Sequence, residues 1–103
     1  MAVIVAFMRP GGLGAVAAPG IGQCRARETI TVPGTTSASA QEGEIVVLAS
    51  TETSLVLAAH GTTPDAAATV ATTSTTAGYP LPTAGILPVS LKTGDKINIK
   101  ALS

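Results

Sequence analysis

The chain has 103 residues, enough for one domain with a modest core. Six Lys and Arg balance six Asp and Glu, and aromatics are only 2% of the chain. Such a sequence lacks the basic footprint and stacking rings of a nucleic-acid binder. A single cysteine excludes an intrachain disulfide and a Cys-rich zinc site, and a single histidine leaves most transition-metal sites without ligands.

The first segment, AVIVAFM, is apolar and rich in residues that favour extended backbone. No Lys or Arg precedes it, which argues against a cleaved leader, and it is too short for a membrane span of about 20 residues. It reads as a β-strand or docking arm. From Arg9 to Gln23 the motifs RPGG, GLG and APGIG discourage helix and strand alike, so a surface loop or extended arm is expected. Within it, Gly12, Gly14 and Ala17 have the spacing of a dinucleotide-binding turn. Pro19-Gly20 would end the helix that such a turn requires, so a Gly-rich arm is the better reading.

CRARETITV alternates: Cys24, Ala26, Ile30 and Val32 share one face, and Arg25, Arg27, Thr29 and Thr31 the other, with Glu28 breaking the pattern. Pro33-Gly34 suits a type II turn. EIVVLAS (44–50) is a short apolar run that fits a buried strand, and TSLVLAAHG (53–61) is a second one ending at Gly61. Thr63-Pro64-Asp65 resembles a helix cap, but the threonines that follow limit any helix to a single turn. Tyr79 to Pro82 and Ile86 to Leu91 carry prolines that suit edge strands. Lys92 to Asp95 is a turn, after which KINIKAL places Ile97, Ile99 and Ala101 on one face and Lys96, Asn98 and Lys100 on the other. Short strands with frequent turn signals predict an all-β fold: a small antiparallel sandwich or barrel, jelly-roll-like, over 24–103, with an N-terminal arm over 1–23.

Chemistry is sparse. Cys24 and His60 would need contact and an orienting partner to act as a nucleophilic pair; the expected states are a buried thiol and an exposed strand-end histidine. Glu42, Glu44, Asp65 and Asp95 read as turn and edge residues rather than acid–base pairs. Lys92, Lys96 and Lys100 read as solvated lysines that block edge pairing. LKTGDKINI has the Gly-Asp turn of co-chaperonins and of biotinyl or lipoyl carriers, without the mobile loop of the first or the hairpin-tip lysine of the second.

Over Glu28 to Leu102 the chain resembles small virion proteins of tailed phages. The motifs are an opening strand ETITVPG, a segment Val56 to Pro64 similar to V-x-A-x-G-x-x-P, a turn Leu81-Pro82-Thr83-Ala84-Gly85 similar to L-P-A-G, and a closing Leu91 to Ile97 similar to V-x-x-G-D-K-I. Thr83 is inserted in the turn, Leu91 replaces valine, and the aromatics usual near the second segment are absent. The resemblance implies a non-enzymatic capsid decoration (cement) protein on the virion surface. Its partner would be the major capsid protein, its assembly a homotrimer, and it would use no cofactor, metal, nucleic acid, membrane or small-molecule substrate. Val3, Ile4, Val5 and Phe7 are the candidate subunit contacts. A binding module of a phage tail, or another extracellular sandwich domain, is the alternative.

Overall fold

The computed structural model describes residues 2–13 and 16–102. Strands β1 (Ala2–Leu13), β2 (Val16–Thr31), β4 (Ile45–Ser50) and β7 (Ile86–Ser90) form one antiparallel sheet in the order β2-β1-β4-β7. A second antiparallel sheet has the order β3-β8-β5-β6, from β3 (Gly34–Thr35), β5 (Val56–Gly61), β6 (Tyr79–Leu81) and β8 (Lys96–Ala101). The described residues contain no helix, and the expected all-β antiparallel sandwich is the fold.

The core follows from period-two alternation. Val3, Val5 and Phe7 of β1 face Ser50, Leu48 and Val46 of β4 across the sheet, and all of these side chains point inward. From the second sheet Val56, Ala58, Leu81, Ile97 and Ile99 meet them. Pro88 and Pro80 lie on the edge strands β7 and β6, where a missing N–H is tolerated. Pro33-Gly34 carries the chain from one sheet to the other across a cis Val32–Pro33 peptide.

The position 23/24 expected as a boundary lies inside β2, and Arg9–Leu13 and Val16–Gln23, expected as part of a surface loop or extended arm, are paired strand. They form the far half of a β1–β2 hairpin, with Pro10 opposite Ile21 and Gly11 opposite Gly20; residues 14 and 15 lie outside the described residues. Of the four candidate subunit contacts, Val3, Val5 and Phe7 are fully buried in the chain's own core and Ile4, 39% exposed, points outward. Asn98, expected on the solvent side of β8 with the lysines, is buried. Residues 62–78 pack over that face of the second sheet: Asn98 Oδ1 accepts the Ala66 N–H at 2.8 Å, and its amide donates to Gly34 O and Thr35 Oγ1.

Candidate functional site

The β1–β2 hairpin leaves the sandwich where β4 stops. Met8 is the last β1 residue paired with β4, opposite Ile45, while pairing with β2 continues to Leu13 and Val16. At this exit Phe7 faces Ala26 and Met8 faces Cys24, so Arg25 is the extra residue of a β-bulge. Bulges turn a side chain to the other face. Arg25, expected outward, therefore swings inward, its guanidinium 5.5 Å from the centre of the Phe7 ring. It donates through Nε and Nη2 to the Glu44 carboxylate and through Nη2 to Ser39 O. Glu44 Oε1 also accepts the Gln41 N–H at 2.7 Å. The hydrogen bonds from Arg25 are the largest reason that the Glu44 carboxyl is held below the usual carboxylate range, against the opposing effect of burial. The hairpin base is thereby tied to the 36–44 loop. Glu28, which broke the alternation, serves the same loop by accepting the Ser37 and Ala38 N–H groups.

The outward face of the first sheet is the second feature. Cross-strand register places Thr29, Ile4, Ala49 and Ile86 in one row; Arg27, Ala6, Val47 and Pro88 in the next; and Cys24, Met8, Ile45 and Ser90 in the third. Only Arg27, on the edge strand β2, carries a charge. EIVVLAS, expected as a buried strand, thus has Val46, Leu48 and Ser50 in the core and Ile45, Val47 and Ala49 partly exposed. The two sheets differ in this respect. The 62–78 loop covers the outside of the second sheet, whereas the outside of the first is partly exposed among the described residues.

The third feature is a cleft of about 320 Å³ between the 71–76 segment, His60 and the 92–95 turn. His60 is half-buried rather than an exposed strand-end residue: its Nδ1 lies 3.3 Å from Asp95 Oδ2, and its ring sits 6.2 Å from that of Tyr79. A histidine held by a carboxylate is the base half of a nucleophilic triad. Several nearby hydroxyls serve the loop itself: Thr75 and Thr76 Oγ1 donate to His60 O, and Thr72 Oγ1 pairs with Ser74 Oγ. Cys24 lies on the other sheet and is exposed rather than buried, so the Cys–His pair does not form.

Two further carboxylates have local partners. Asp65 accepts from Lys100 at 2.7 Å and from the Ala67 N–H, and Asp95 accepts the Lys92 N–H. Lys96 and Lys100 belong to β8, which lies inside the second sheet rather than at its edge. Among the described residues no cluster of three or more His, Cys, Asp or Glu could hold a metal ion.

These features define a β-sandwich with a projecting hairpin and a largely apolar, partly exposed outer face on its first sheet. No family model, curated protein or solved structure matches the chain.

Proposed function

We propose that the chain is a non-enzymatic virion structural protein: a capsid decoration protein that bridges neighbouring major capsid subunits of a tailed-phage head. The observation that carries this reading is the hairpin. A two-stranded ribbon that leaves the sandwich with its strand edges free is suited to adding to the sheet of a neighbour. The resemblance over Glu28–Leu102 supplies the kind of neighbour. The neutral chain supports the same reading, because many copies can sit side by side without mutual repulsion.

The test must spare β1, because deleting the whole 1–23 segment would remove Val3, Val5 and Phe7 from the core. Joining Arg9 to Gln23 through an Asn-Gly turn keeps the Met8–Cys24 pair and removes the projecting ribbon. In a co-sedimentation assay with undecorated capsids of the parent phage, the full chain is expected to bind and the shortened one to lose binding. A shortened chain that keeps a native far-UV spectrum and decorates with unchanged affinity overturns the docking role of the hairpin. A full chain that does not bind capsids overturns the proposal itself.

A further inference from the structure

The cleft beside His60 gathers hydrogen-bonding groups that the fold does not use. Asp95 is a buried carboxylate, 7% exposed, on the turn that leads into β8. Its Oδ2 meets His60 Nδ1 at 3.3 Å and accepts the Lys92 N–H at 3.2 Å, while Oδ1 has no partner among the described residues. An ionised carboxylate only accepts, so Nδ1 carries the hydrogen and Nε2 of the neutral ring is left as an acceptor. Nε2 likewise has no partner among the described residues. Two unused acceptors thus belong to adjoining side chains that line a cleft of about 320 Å³. The same cleft is lined by the donors Lys92, Thr73, Ser90 and Thr93, whose side chains have no partner among the described residues. We infer that this cleft binds a neutral sugar unit through a pair of adjacent hydroxyls.

The ligand class follows from the balance of donors, acceptors and charge. Lys92 and Asp95 cancel, so an anion would meet the carboxylate and a cation the ammonium. A metal ion lacks a third ligand among the described residues. A vicinal diol suits both kinds of group: its two O–H groups can donate to Asp95 Oδ1 and His60 Nε2, and its oxygens can accept from Lys92 and the threonine and serine hydroxyls. Ala71 and the threonine methyls offer apolar contact to the C–H face of a pyranose ring. The volume lies at the lower end of the range for ligand pockets, about 300–1,000 Å³, which suits a single sugar unit. No Phe, Tyr or Trp lines the cleft, so stacking adds nothing and the expected Kd is on the order of 1–10 mM. The unit can be a free monosaccharide or the end of a glycan. The inference rests on the cleft alone and stands apart from the docking of the hairpin.

His60 is the chain's single histidine, so its ring protons give an unambiguous NMR reporter beside the proposed ligand. The full chain is titrated with the methyl pyranosides of glucose, galactose, mannose and N-acetylglucosamine, each to about 100 mM, tenfold above the weakest expected Kd. At least one is expected to shift the His60 signals saturably, whereas 2-methoxytetrahydropyran, a pyran ring without hydroxyls, is expected not to. For a sugar that binds, the matching trisaccharide distinguishes the sources: equal affinity assigns the free unit, and tighter binding a glycan end. Lys92→Met, at an exposed turn position, is expected to weaken binding at least about threefold, and Asp95→Asn at least about tenfold. Ile86→Lys, exposed on the other sheet, is expected to leave it unchanged. If Asp95→Asn fails to fold, Lys92→Met decides. The inference is overturned by the lack of a saturable shift with all four sugars, or by an equal shift from the hydroxyl-free pyran. Parent-like affinity in Lys92→Met or in folded Asp95→Asn, or equal weakening by Ile86→Lys, overturns it as well.

Discussion

Tyr79 faces the core from β6, with its hydroxyl buried and without a hydrogen-bond partner among the described residues. Burial alone pushes its ionisation up to about 12. An unsatisfied buried hydroxyl is a liability, whereas the ring is useful volume beside His60. Tyr79→Phe is therefore expected to leave stability unchanged or raise it by about 1 kcal/mol, read from the midpoint of urea unfolding; a loss above about 1 kcal/mol would mean that the hydroxyl has a partner in solution. Arg25 shows the opposite case. Its polar groups are satisfied by Glu44 and Ser39, although strand alternation had assigned it to the solvent side. One extra residue in the ladder reverses that assignment, and nothing in CRARET marks where a bulge will fall.

Among the elements, β4, β5 and β8 were legible because each is a short apolar or alternating run between turn signals. The hairpin was not. Its glycines and prolines discourage a strand by local propensity, yet Pro10, Gly11 and Gly20 find cross-strand neighbours because the two arms are adjacent in sequence. Pro10 also lies beyond the end of β4, where β1 has become an edge strand. The 62–78 loop was legible only as a non-helix; its role as a cover for the second sheet depends on contacts distant in sequence. Gly61 shows how close that cover lies. Its φ is +150°, and an added Cβ would fall 2.1 Å from Ser74 O. Gly61→Ala is accordingly expected to cost about 2–3 kcal/mol by urea unfolding, because backbone rather than a movable side chain must give way. A cost below about 0.5 kcal/mol would show that the loop is not seated on β5.

The whole molecule has a radius of gyration of 13.4 Å and extents of 45 × 30 × 20 Å. Its acid stability is expected to depend on Glu44, which joins the hairpin base to the loop at one end of the sandwich. The Glu44 carboxyl is held below its ordinary 4.5, first by the hydrogen bonds from Arg25. A carboxylate depressed in the folded state contributes stability above its unfolded pKa and loses it as pH falls through the folded value. Thermal unfolding followed from pH 7 downward is expected to show a falling midpoint below about pH 4.5. In Glu44→Gln the midpoint is expected to be several degrees lower at pH 7 and to change less with acid over this window. Equal acid slopes for the two chains would remove Glu44 as the cause.

What the sequence determined by itself was the all-β class and the positions of most short strands, since alternation and turn residues are local properties. The tertiary structure alone decided which face of each strand is covered. Val3, Val5 and Phe7 looked like contacts for a neighbour and proved to be core, while Ile45, Val47 and Ala49 looked buried and proved to line an open face. An apolar side chain has the same pattern whether its own chain or another molecule will cover it, and only the packing of the two sheets and the 62–78 loop distinguishes the cases.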